Sequence, residues 1–202
     1  MKLFNNKYRI DSARLNNWDY SQNAVYFITI CSGNKEHYFG EIKDGKMYLS
    51  DIGEIADIFL NQIPDHFNFT AIDAYVVMPN HIHILLVINR PVSKVEILHS
   101  DIIQKGITDE DIFINVRETL QCNVSTDGKN EFMAQISPKK GSVSTIIRSY
   151  KSAVSKEART INYGFLWQER FHDHIVRNDS SYYKIKNYIL DNPANWDKDK
   201  FY

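Results

Sequence analysis

The sequence predicts an α+β fold, a compact antiparallel sheet with helices packed on one face. Three observations predict it. Stretches rich in β-branched and aromatic residues, at 24–31, 69–78 and 81–88, are bounded by turn-forming residues. Apolar residues at helical spacing separate these stretches. With 202 residues, 43% of them hydrophobic and 24% charged, the chain suits one domain with a real core.

Ala24 to Cys31 is the first predicted strand. Gly40 to Leu49 carries Asp44-Gly45, a tight-turn signal between two short strands, and forms a small N-terminal hairpin. Ser50 or Asp51 caps a helix in which Ile52, Ile55, Ala56, Phe59, Leu60 and Ile63 recur at helical spacing, with Pro64 near its end. Phe69 to Met78 and His81 to Ile88 read as two strands joined at Pro79-Asn80. Pro91 to Pro138 mixes short apolar patches with acids and reads as an insertion with some local helix. Ser142 or Ser144 caps a helix running to about Ala158, packed through Ile146, Ile147, Tyr150, Ala153 and Val154. Phe165 to Gln168 and His174 to Arg177 read as short extended segments. Asp179 or Ser180 caps a last helix, which Asn192-Pro193 stops. This order is that of a ferredoxin-like sheet, with residues 1–202 as one domain carrying an insertion at about 91–138.

Formal net charge is −1, yet the charge is unevenly placed. From Lys139 to Arg177 eight basic residues face three acids, while from Pro91 to Phe132 eight acids face four basic residues. Local charge is what attracts phosphate, so the basic stretch is a candidate nucleic-acid surface. The longest apolar run, around Tyr75 to Ile88, is broken by Pro79, Asn80 and two histidines, which argues against a membrane span. The two cysteines, Cys31 and Cys122, have no metal-type spacing and fit a reducing, cytoplasmic setting.

Within the strand at 81–88, His81 and His83 share one face and Ile82 takes the other. Two imidazoles about 7 Å apart along a strand can close on one divalent cation. On the last helix Tyr182, Ile185 and Ile189 form an apolar stripe, leaving Ser181, Lys184 and Tyr188 on another face. Asn192 follows Tyr188 by one turn. One helix can therefore present a phenol nucleophile and an amide oxygen as a third ligand. Tyr183, with Asn187 at the same spacing, and Tyr150, beside Lys151 in the basic helix, are rival nucleophiles. His172-Asp173-His174 is a second histidine pair, read as structural or close to a nucleic acid rather than as the metal pair.

Three blocks, Met78-Pro-Asn-His-Ile-His83, Trp167 to Asn178, and Tyr188-Ile-Leu-Asp-Asn-Pro-Ala-Asn-Trp196, resemble the REP-associated tyrosine transposase branch of the single-tyrosine HUH transposases. The resemblance covers roughly 20–90 and 139–196. It implies that His81, His83 and Asn192 hold Mg²⁺ or Mn²⁺, and that Tyr188 forms a 5′-phosphotyrosine intermediate with single-stranded, often hairpin-containing DNA. Lowering of the Tyr188 pKa by the metal or by Lys184 is left open. Arg148, Lys151, Lys156 and Arg159, with Arg170 and Arg177, would contact DNA. Trp167, Phe171 or Tyr150 would stack on bases. The resemblance leaves both a homodimer and a monomer open. The alternative reading is a catalytically silent single-strand-binding module on the same fold.

Overall fold

The computed structural model of the protein describes residues 15, 18–91 and 138–199. The chain divides into two units, residues 1–89 with 139–202, and residues 90–138. The expected insertion at about 91–138 lies, but for its two end residues, outside the described residues.

In the first unit β1 (Ala24–Cys31) leads through a short 3-10 turn to a hairpin of β2 (Gly40–Lys43) and β3 (Lys46–Leu49). Then come α1 (Asp51–Asn61), α2 (Ile63–His66), β4 (Thr70–Val77) and β5 (His81–Ile88). After the second unit follow α3 (Val143–Ile161), β6 (His172–Val176), α4 (Asp179–Asp191) and a 3-10 helix, Pro193–Lys198. Strands β4-β5-β1-β6 form one sheet, antiparallel at every pairing, and β2-β3 form a separate ribbon. This is the ferredoxin-like strand order that the element sequence predicts.

Asp44 and Gly45, both with positive φ, make the β2-β3 turn, as the Asp-Gly signal implies. Ser50 is the N-cap of α1, its hydroxyl accepting from the Gly53 amide at 3.1 Å. The last helix is capped one residue earlier than expected, by Asn178, whose side chain accepts from the Ser181 amide at 2.8 Å. Of the extended segment expected at 165–168, only a bridge between Trp167 and Ser32 forms.

Alternation sorts the side chains. Tyr26, Ile28 and Ile30 of β1 and Ile82, Ile84 and Leu86 of β5 face a core built with Ile52, Ala56 and Leu60 of α1 and Ile146, Ile147 and Val154 of α3. On the other face Leu85 and Ala74 pack with Ile189 of α4, joined by Phe27, Tyr182 and Ile185. Helices α1 and α3 thus share one face as expected, and α4 is added on the opposite one. The reason lies in its own stripe, Tyr182-Ile185-Ile189, which needs an apolar surface that the first face no longer offers.

A bulge in β4 prepares that surface. Ile72 pairs with Leu86 and Ala74 with Leu85, so Asp73 is the extra residue. The Asp73 carboxylate accepts from the Tyr182 hydroxyl at 2.7 Å and from Lys186 Nζ at 3.1 Å, tying two successive turns of α4 to the sheet.

The docking of α1 depends on Gly53. A Cβ there would lie 2.1 Å from the Phe39 carbonyl oxygen. In an open helix Gly→Ala gains roughly 1 kcal/mol. Gly53→Ala is expected to do the reverse and cost about 1–3 kcal/mol, because backbone must shift. Urea unfolding checks this: the midpoint falls, and a raised midpoint would contradict the close approach.

Candidate active site at the His81–His83 face

Strand β5 is buried on both faces, and His81 and His83 lie at 0% and 1% exposure. Buried imidazoles need partners, and each has one at Nδ1. Asn80, held in the Pro79-Asn80 turn, places its Oδ1 2.9 Å from His81 Nδ1. An amide oxygen only accepts, so His81 Nδ1 donates and its Nε2 keeps a lone pair. Thr29, the in-register neighbour of His83 on β1, places its hydroxyl 2.8 Å from His83 Nδ1. The two Nε2 atoms converge to 3.1 Å.

Helix α4 brings the phenol. Tyr188 Oη stands 3.2 Å from His83 Nε2, and its ring meets Phe27 edge-on at 6.1 Å. The following segment closes the other side. Trp196 stacks against His81 with ring centres 5.9 Å apart. The Asp199 carboxylate accepts from Tyr188 Oη and from Asn192 Nδ2, both at 2.8 Å. Asn192 is 2% exposed, and its Oδ1 is buried with no hydrogen-bond partner among the described residues.

These groups fit a divalent cation. His81, His83 and Asp199 offer ligand atoms within 4.8 Å of one another. Ligands about 2.1 Å from an octahedral ion lie about 3 Å apart, matching the two Nε2 atoms. Histidines whose other ring nitrogen is engaged are the usual form of metal-ligating imidazole. The orphaned Asn192 Oδ1 supplies one further oxygen, a donor type that hard ions favour.

Electrostatics agree. Burial pushes the His81 pKa down to about 4; the Asp199 carboxylate opposes this and Lys35 reinforces it. His81 is therefore neutral at pH 7, as a ligand must be. Partial burial, and then the hydrogen bond to anionic Asp199, push the Tyr188 phenol well above its ordinary range. Without a positive charge in the site Tyr188 is a poor nucleophile.

The structure thus brings Tyr188, His81, His83 and Asn192 together. It also adds residues that sequence reasoning missed. Asn80 was within the motif and readable as a partner of His81. Thr29 and Asp199 reach the site only through pairing and the turn after Asn192, and nothing in their spacing announces them. The rival tyrosines are elsewhere. Tyr150 is in the core, its hydroxyl donating to the Ala56 carbonyl at 2.9 Å, and Tyr183 is exposed with its ring against Tyr182.

The expected DNA-contacting residues are not gathered at this centre. Arg148, Lys151, Lys156 and Arg159 belong to α3, which packs on the sheet face opposite the histidines. Arg148, Lys151 and Arg159 line an open groove of about 480 Å³ with Ser152, Glu169 and Phe171. Trp167 is half-buried against the core, its Nε1 donating to the Lys151 carbonyl at 3.1 Å. Lys151 Nζ donates to the Gln168 carbonyl and lies over the Trp167 ring, and burial lowers its pKa. Arg170 and Arg177 are exposed at either end of β6. His172-Asp173-His174 does form strand, as the first part of β6.

No protein-family profile matches the chain. A Haemophilus influenzae protein described as uncharacterised is 32% identical over 195 residues, covering 95% of this chain and 92% of its own. The chain belongs to the same family as that protein. Among solved structures, the REP-associated tyrosine transposase bound to a REP hairpin matches 93% of this chain and 74% of its own, with a TM-score of 0.52 and 14% identity. That likeness is one of fold, and the fold is that of the branch which the sequence resembles. Among the described residues no helix is long and apolar enough to cross a membrane.

Folding lowers the His81 pKa from 6.5 to about 4, so the unfolded chain takes up its proton first as pH falls. In metal-free protein this group's contribution is present above about pH 6.5 and is lost as pH falls to about 4, up to roughly 3 kcal/mol. Denaturant titrations in EDTA across this range check it. The His81→Asn variant should lose this part of the slope, and parallel curves would contradict the buried neutral imidazole.

Proposed function

We propose that the protein is a metal-dependent single-tyrosine transposase or endonuclease, which nicks and rejoins single-stranded, hairpin-containing DNA through a 5′-phosphotyrosine intermediate. The observation that carries this reading is the apposition of Tyr188 Oη to the converging Nε2 atoms of His81 and His83, beside the unpartnered Asn192 Oδ1. The shared fold with a transposase whose structure holds a REP hairpin supports DNA as the substrate.

In this reading His81, His83 and Asn192 hold Mg²⁺ or Mn²⁺, with Asp199 as a fourth protein ligand. A cation held there would supply positive charge to polarise the scissile phosphate and favour the phenolate. Thr29 and Asn80 hold the two imidazoles in the orientation that turns both Nε2 atoms toward the site. Tyr188 passes its proton to the carboxylate it already donates to, Asp199, and its oxygen attacks phosphorus. The bond to the 3′ oxygen breaks and that oxygen takes a proton from solvent, leaving the 5′ phosphate on Tyr188 and a free 3′-hydroxyl. Attack by another 3′-hydroxyl reverses the step and joins a new strand, with no external energy source. The α3 groove, remote from the reacting atoms, takes the sugar-phosphate backbone of a paired region through Arg148, Lys151, Lys156 and Arg159.

Incubation with a hairpin-containing single-stranded DNA library and Mn²⁺, followed by a denaturing gel and mass mapping, tests the chemistry. The expected product is an adduct on Tyr188, abolished by EDTA and by His81→Ala and absent in Tyr188→Phe, in which strand cleavage falls at least about a thousandfold. Tight DNA binding with no adduct under any of these conditions would favour the silent binding module. For the groove, the Arg148→Ala/Lys156→Ala double variant should lower the salt slope of DNA binding by about 1.8, close to one charge per residue. An unchanged slope would remove α3 from the interface.

A further inference from the structure

The second histidine pair lies on the same sheet face as the first. Strand β6 pairs with β1 in a register that sets His172 opposite Thr29 and His174 opposite Phe27. Thr29 is in turn opposite His83, and Phe27 opposite Leu85. Residues opposite one another in an antiparallel pair share a face. Two cross-strand rows result, His83-Thr29-His172 and Leu85-Phe27-His174, running from β5 to the sheet edge. Asp173 and Ile175 take the other face, where Ile175 enters the main core.

Both histidines of β6 are exposed, at the edge of a face that is apolar where α4 packs on it. Helix α4 packs over β4 and β5, with Ala74, Leu85 and Ile189 at the contact. Trp196 and Asp199 close the end of β5 beside His81. Tyr188 stands over Phe27 of β1, and the next residue in that row is His174. Resting on the function proposed above, the strand that carries the scissile phosphate must leave Tyr188 in some direction. Toward the 193–199 segment the way is taken by Trp196 and Asp199, which cover His81 and Tyr188 on that side. Toward β6 it meets imidazole N–H donors, with Arg170 and Arg177 exposed at the two ends of the strand.

We propose that His172 and His174 form a substrate-strand subsite, contacting the DNA backbone next to the scissile phosphate and leading the strand across β1 to the edge of the sheet. They bind no metal and take no part in bond breaking. The β1-β6 half of this face is the bed, and the α4 half is the support for the nucleophile.

The test is binding of a labelled random-sequence single-stranded oligodeoxyribonucleotide, read by fluorescence anisotropy in EDTA so that no cleavage intervenes. The His172→Ala/His174→Ala double variant should bind about tenfold more weakly, with unchanged Mn²⁺ affinity by calorimetry. A His172→Gln/His174→Gln variant, which keeps a donor at each position, should recover most of the affinity and guards against a misfolded edge strand. Unchanged DNA affinity in the alanine variant overturns the proposal, as does loss of Mn²⁺ binding, which would make these histidines ligands. Weakened binding in a protein that forms no Tyr188 adduct would keep β6 as a strand-binding edge but overturn its place beside a scissile phosphate, together with the strand-transfer reading. Unchanged affinity in a protein that does form the adduct would remove the subsite alone.

Discussion

Burying β5 on both faces constrains everything around it. A strand in the interior of the sheet, covered by α1 and α3 below and α4 above, is where a histidine costs most. Two are placed there, two residues apart, so the pleat sends both to the α4 side. Burial keeps His81 neutral, and the buried nitrogens demand partners that the surrounding strands must supply. Asn80 and Thr29 meet that demand at Nδ1, and in doing so they turn both Nε2 atoms toward one point.

Helix α4 is positioned by a separate set of contacts, and the centre exists only where the two sets meet. The apolar stripe of α4 seats on Ala74 and Leu85, and the bulge at Asp73 clamps Tyr182 and Lys186. The rotation of the helix about its axis is thereby fixed, which brings Tyr188 against His83 and leaves Asn192 buried at its end. The centre is under electrostatic tension in this form. An aspartate, a phenol of raised pKa, the neutral imidazole of His81 and an orphaned amide oxygen all present electron density to one small region. Such an assembly is stabilised by one positive charge at its middle, which is the basis of the proposed cation chemistry.

Much of this was legible in the sequence because it is local. The pleat puts His81 and His83 together whatever the rest of the chain does, and helical spacing puts Asn192 near Tyr188. The Asp44-Gly45 turn and the Ser50 cap are similarly short-range. What was not legible depends on contacts distant along the chain. The placement of α4 on the second face follows from competition for apolar surface, and Asp199 arrives through a 3-10 turn without a pattern of its own. Thr29 is one polar residue in an apolar strand, and only register shows that it serves His83. Helical spacing puts Arg148, Lys156 and Arg159 on the exposed side of α3, but sequence could not say that this side faces away from the histidines.

The central claim is that His81, His83 and the end of α4 hold one divalent cation beside Tyr188. Electron spin-echo spectroscopy of Mn²⁺ added to the protein addresses it directly, because it counts the imidazole nitrogens bound to the ion. The account predicts two coupled nitrogens, one in His83→Ala, and an altered ligand environment with the nitrogens retained in Asn192→Ala. Two nitrogens persisting in the His81→Ala/His83→Ala double variant, or no bound Mn²⁺ in the parent protein, would contradict it.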